Sequence, residues 1–548
     1  MSRAFRTVAG LLFALAAATG PAGAADDYEA PILEGLGDYV FPVSTENEMA
    51  QRFVTQGVLL THGFNHPEAE RSFREAARLD PKCAMAWWGV ALVLGPNINL
   101  EMQPEAVAPA WEAIRNAEKH AKNASPKEKD YVAALKKRYQ QKPPENRSGL
   151  DQAYADAMRD LRRKYPDDVD VAAFTAEALM DLHPWNFWNA DGTPHPWTPE
   201  IVELLEWALT QRPDHPLANH LYIHAVEGSK DPARALDSAA RLRKLMPGAG
   251  HMVHMPSHIY IRTGRYHEGT LANELAVQSD EEYATQCHAQ GVYMVAYVPH
   301  NHHFLWAMAS IEGASEKAMR AAQTTAEHVV HEALGVPGLE GLQHFLSIPY
   351  FARVRFGKWD EMLAQESPGD DLVYVKSAWH YCRAMAYART GRLEEAAKEK
   401  AEMERLAADP RLDAVRFFGL NELRTLLGIG SLVLEGEMKA YAKDYDGAVA
   451  AFTKAIDQED HLRYIEPPDW FFPVRHNLGA VLLEAGRPAE AEKVYRQDLV
   501  TFPENGWSLF GLSQSLRAQG DFDGAREVEA RFYNAWTNAD VTLASSRF

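Results

Sequence analysis

The 548-residue chain has little cysteine, and its three, Cys83, Cys287 and Cys382, form no C-x-x-C pair. Haem attachment and a cysteine-built zinc site are therefore disfavoured, and three scattered thiols make a poor disulfide framework. Positive charge is scarce as well: 56 Lys and Arg against 76 Asp and Glu leave a formal net charge of −20. A chain this acidic, with no basic run, repels phosphate backbones and anionic lipid, so nucleic acid is not an expected partner. No segment approaches the ~18 uninterrupted apolar residues that span a bilayer, and membrane insertion is not expected either. Sustained strand alternation is missing, which leaves helix as the expected element. No phosphate-cradling glycine loop, dinucleotide fingerprint or G-x-S-x-G elbow stands in a convincing context, so nucleotide binding and serine catalysis lack support.

What is present begins with a leader. Arg3 and Arg6 form a basic start, an apolar run follows from Val8 to about Ala18, and Ala22-Gly23-Ala24 fits a small-residue cleavage site. Residues 1–24 therefore read as a signal peptide cleaved near Ala24, and the mature protein as periplasmic or secreted.

A repeat follows. Gly57, Ala69, Phe73, Ala76 and Pro81 fall at fixed offsets; Gly436, Ala448, Phe452 and Ala455 restate them, as do Gly479, Ala491, Tyr495 and Pro503. Turn signals at Gly264-Arg265-Tyr266, Gly357-Lys358-Trp359 and Gly391-Arg392-Leu393 continue the rhythm between the ends. This pattern resembles the tetratricopeptide-repeat family, most closely at the two ends of the chain. The resemblance implies an all-α solenoid of helix–turn–helix units, wound as a right-handed superhelix with loop insertions. It divides the mature chain into an N-terminal arm (25–45) and N-terminal repeats (46–142). Central degenerate repeats (143–365), linking helices (366–430) and C-terminal repeats (431–548) complete it. The Trp185–Pro199, Pro143–Ser148 and His461–Trp470 stretches break the register and read as loops, which inside a solenoid are often functional.

Histidine is unevenly spread. Eleven of the 22 fall between His215 and His303, so scatter does not explain them. His220 with His224, and His254 with His258, are i, i+4 pairs that share one helix face. The pairs recur at 34 residues, the length of one tetratricopeptide unit. Aligned on their repeats, His220, His254 and His303 take the fifth position of the first helix, His224 and His258 the ninth, and His251 and His300 the second. In the family this chain resembles, those positions line the concave groove, and His344 falls at another second position. Glu227 prolongs the His220–His224 face.

Packed helices lie roughly 8–10 Å apart, close enough for facing imidazoles to share an ion at about 2 Å. Bare clustered imidazoles lose solvation and repel when protonated, so they need a reason to exist. The expected ligands are His220, His224, His251, His254, His258 and His303, and the expected cofactor is a transition metal ion: copper, zinc or iron. In an enzyme the metal would activate water or dioxygen, with Glu227 or His300 moving protons; oxidative and hydrolytic chemistry both stay open. The aromatic loop His183-Pro184-Trp185-Asn186-Phe187-Trp188 is a candidate lid, and Tyr293 and Tyr297 precede His300 closely. His66 and Asn97 are candidate groove-edge contacts for a small-molecule or peptide ligand. The alternative is a non-catalytic scaffold that holds a peptide or partner protein in the groove.

Overall fold

A computed structural model describes residues 30–189, 191–287, 293–336 and 338–548; the leader at 1–24 and the first residues of the arm lie outside the described residues. Helix follows helix from Glu48–His62 to Phe522–Ala535. The only named strands among the described residues are two-residue pieces, Arg416–Phe417 paired antiparallel with Asn421–Glu422. None of the described helices is long and apolar enough to cross a membrane.

The helices come in antiparallel pairs, and the small residues of the repeat explain the pairing. A Cβ built on Gly57 would stand 2.7 Å from the Phe73 ring, one on Gly436 2.6 Å from Phe452, and one on Gly479 2.3 Å from Tyr495. Only glycine lets the aromatic ring of the second helix press against the backbone of the first at such distances. Phe73, Tyr495 and Phe452 are fully buried as a result, each stabilising its pair by about 1.5–3 kcal/mol. The turn between Val373–Arg389 and Leu393–Ala407 carries Gly391 at φ +81°, the left-handed helix ending that glycine accepts without strain. Helix starts are set by side-chain caps: Asn47 accepts from the Met49 and Ala50 amides, and Ser125 with Glu128 closes a capping box. The expected all-α tetratricopeptide-type solenoid is what the chain forms.

Two compact units emerge. One runs to Ile259 and takes in Leu275–Met294; the other comprises Tyr260–Glu274 and Val295–Phe548. In the first unit Phe41, Trp88, Tyr131 and Phe174 form an aromatic core, with Trp88 edge-on to Phe174 at 5.7 Å. In the second, the core runs from Trp306 and Phe345 through Tyr374 to Tyr495 and Trp507. The first unit also contains the Pro216–Val226 helix, every residue of which is buried, and the short Gly250–His254 helix, buried throughout. Helices enclosed on all sides are normally apolar all round. These two carry His220, His224, His251 and His254.

Candidate metal centre

His215 starts the Pro216–Val226 helix: its Nδ1 accepts the Ala218 amide at 3.2 Å, and Pro216 takes the first turn, where no N–H is missed. From that start, His220 and His224 land on one face with ring centroids 4.9 Å apart. Gly250–His254 and Pro256–Thr263 are separated at Met255, ahead of Pro256, so His254 and His258 sit on either side of a break. Their rings are again 4.9 Å apart. The five imidazoles and Glu227 are only 0–3% exposed. The face expected to line an open groove is covered.

The hydrogen bonds fix where the protons are. His220 donates Nδ1–H to the main-chain carbonyl of His62 at 2.6 Å. The Glu227 carboxylate accepts Nδ1–H from His224 at 2.9 Å through one oxygen and from His258 at 2.5 Å through the other. Carbonyl and carboxylate oxygens only accept, so in all three rings the Nε2 atom carries the lone pair in the neutral form. His220 Nε2 stands 3.2 Å from His251 Nε2, and His258 Nε2 stands 2.9 Å from His254 Nε2. Two nitrogens each 2.0–2.1 Å from one tetrahedral ion are separated by about 3.3 Å, which the first pair already matches. One nitrogen from each of His220, His224 and His251 lies within 4.8 Å of the others, and His224, Glu227 and His258 form a second such group. His224 Nε2 is buried with no hydrogen-bond partner among the described residues.

Burial lowers the pKa of His220 well below 6.5, and the neighbouring His224 adds to the shift. Burial likewise depresses His224, against the pull of Glu227. On Glu227 itself burial pushes upward, but His258 and His224 outweigh it and hold the carboxyl at about 2. The site therefore keeps a charged carboxylate against the Nδ1–H groups of His224 and His258, the arrangement that orients metal-ligating histidines.

Two aromatic residues in the left-handed conformation, Phe64 and Trp185, both at φ +57°, close over the cluster. Phe64 lies 4.6 Å from His220, 5.9 Å from His224 and 5.6 Å from His251. Trp185 stands edge-on to His224 at 5.0 Å and donates its indole N–H to Asn99 at 3.1 Å. Trp188 pins the same loop by donating to the Ala225 carbonyl at 2.7 Å. His183 stacks on Trp197 at 3.7 Å, at the loop's own base. His66 meets Asn97 at 3.1 Å, and burial lowers its pKa to about 4. Tyr293 accepts the His251 amide at 3.1 Å and donates to Asp280 at 2.7 Å, which anchors the start of the Gly250–His254 helix.

His300 and His303 lie in the second unit, on the Val298–Ile311 helix. There His300 packs against Phe304 and Phe418, while His303 neighbours Trp306 and His344. Phe64 and the His62 carbonyl had no signal in the sequence beyond the Thr61–His66 turn. Nothing in the spacing joins that turn to a helix 158 residues further on.

Fold and site together define a tetratricopeptide-type solenoid that encloses a histidine cluster. Tetratricopeptide-repeat sequence models match residues 59–94 and 476–540, and a second such model matches 378–397. The histidine-bearing stretch lies between these matches. Among curated proteins, none matches the chain. Solved structures that the chain matches include the human IFIT1 dimer with m7Gppp-AAAA, at 13% identity over 90% of this chain and 91% of that one, with TM-score 0.32. The human IFIT1 dimer with PPP-AAAA gives 13%, 90%, 91% and 0.33. A likeness this slight says nothing about this chain's ligand.

Proposed function

We propose that the protein is an exported solenoid metalloprotein that holds a transition metal ion, zinc, copper or iron, on His220, His224 and His251. His254 and His258 stand beside that set as further donors, and Glu227 is the carboxylate that orients two of the rings. The observation that carries this reading is the unpartnered, buried His224 Nε2, on a ring that brings one nitrogen within 4.8 Å of nitrogens from His220 and His251. A bare buried acceptor costs about 1–3 kcal/mol, and an ion shared among the three lone pairs removes that cost. Three imidazoles leave a coordination position for water or substrate, and an ion so held acidifies bound water toward a pKa of about 7. Either hydrolytic or oxidative use of such a site fits, with a small-molecule or peptide ligand entering past the Trp185 loop.

Metal analysis of protein purified without an affinity tag tests the reading. The expected result is near-stoichiometric metal that is lost in the His220→Ala/His251→Ala variant. Protein that stays metal-free after exposure to zinc, copper and iron sinks it, and leaves the scaffold role of the repeats. Export is tested separately, by the N-terminal residue of the protein recovered from its host: Ala25 is expected.

A further inference from the structure

The second unit encloses another pair of imidazoles. His303 projects from the Val298–Ile311 helix and His344 from the 3-10 turn Glu340–Ser347, and the two are 0% and 1% exposed. Their ring centroids are 5.9 Å apart at an interplanar angle of 77°. The walls are aromatic: Trp306 lies parallel to His303 at 5.3 Å, Phe345 edge-on to it at 5.3 Å, and Phe417 stands 4.7 Å from His344. Both nitrogens of His303 and Nε2 of His344 are buried without a hydrogen-bond partner among the described residues. His344 Nδ1 is occupied, 2.8 Å from the Tyr374 hydroxyl. Three orphaned nitrogens in one apolar box are costly, since each has given up its hydrogen bonds to water and gained none in return. Burial lowers His344 to about 3 and His303 well below 6.5, so added protons do not relieve them at neutral pH.

We propose that His303 and His344 form a second metal site, selective for a monovalent soft cation, Cu(I), held between two neutral imidazoles. Two rings whose nitrogens each stand about 2 Å from one ion, on a wide angle, have centres roughly 6 Å apart. That is the separation seen. Charge and coordination number choose the ion. The cost of desolvating an ion rises with the square of its charge, and no carboxylate pairs with either ring among the described residues to offset a divalent one. Zinc also asks for four ligands, whereas Cu(I) accepts two. Tyr374 is the positioning residue, since a hydroxyl that accepts Nδ1–H turns the His344 Nε2 lone pair toward the ion. The Glu227 cluster offers more donors and a carboxylate, and so suits a divalent ion instead.

The test is anaerobic titration with Cu(I) against a chromogenic Cu(I) chelator. The wild type is compared with His303→Leu/His344→Leu and with His303→Met. The leucine variant is expected to take up one equivalent fewer, while its zinc uptake matches the wild type. The methionine variant is expected to keep the equivalent, with a sulfur donor replacing a nitrogen in the X-ray absorption of the copper-loaded protein. Equal Cu(I) uptake by the wild type and the leucine variant overturns the proposal. So does a methionine variant whose copper shows no sulfur, and that result holds even if the leucine variant does not fold. Loss of zinc binding at the Glu227 cluster changes neither comparison.

Discussion

At the scale of single residues, a carboxylate that accepts two Nδ1–H groups settles the tautomer of both rings it touches. Glu227 does this for His224 and His258, and the His62 carbonyl does the same for His220. The lone pairs are thereby aimed before any ion arrives, and the reorganisation needed on binding is small. Glutamine in place of Glu227 has nearly the same shape but only one accepting oxygen. One ring would then face an amide N–H and turn over or tilt away. Glu227→Gln is therefore expected to weaken metal binding about 10- to 100-fold with the fold intact, measured by competition with a chelator of known affinity. An affinity equal to that of the wild type would mean the carboxylate does not orient the ligands.

Elements contribute in two ways, by how helices pair and by how loops cover them. Pairing rests on glycine facing an aromatic ring 16 residues further on, as in Gly57 with Phe73, Gly436 with Phe452 and Gly479 with Tyr495. Gly479→Ala forces a methyl to within 2.3 Å of the Tyr495 ring. It is expected to cost about 1–3 kcal/mol in urea unfolding, as overpacking does elsewhere. Covering is done by the loop that carries Trp185, which holds a bulky residue at φ +57° so that its ring meets His224. Such strain persists only where the surroundings enforce it, here through the Asn99 and Ala225 hydrogen bonds. Trp185→Gly relieves the backbone and removes the ring. Expected are an unchanged or slightly higher melting temperature together with faster loss of bound metal to excess chelator, followed by stopped-flow absorbance. Slower loss, or none, would show that the loop does not guard the site.

For the whole molecule, what the sequence disclosed follows from locality. Glycine–aromatic offsets repeat within each helix pair, so the all-α solenoid was legible from a few residues. Helical spacing likewise put His220 beside His224, and a repeat-length offset put both near a second histidine helix. Register failed where the chain departs from its repeat. Pro256 interrupts the second histidine helix, and His220 Nε2 meets His251 Nε2, 31 residues on, where the repeat offset pointed to His254. From Val295 onward the chain belongs to the second unit, which puts His303 in a different core. Burial itself was unreadable, because the covering groups come from a turn and a loop with no periodic relation to the helices. That burial has a consequence for acid stability. Burial holds His66 at about 4 and His344 at about 3, and keeps His62, His220 and His303 well below 6.5. The unfolded chain protonates these rings near 6.5 and the folded chain does not, so below 6.5 the unfolded state binds more protons and stability falls. Glu227 acts in the same sense lower down: its contribution is whole above 4.5 and is lost as pH drops toward 2. Each imidazole gives a slope of about 1.4 kcal/mol per pH unit across its window. The melting temperature of metal-free protein is expected to be flat above pH 7 and to fall steeply from 6.5 to 5. An ion competes with protons for the same lone pairs, so metal-loaded protein should melt higher at pH 6, with the gap closing toward pH 5. A melting temperature indifferent to pH over that range would show that the imidazoles are already charged or wet in the native state.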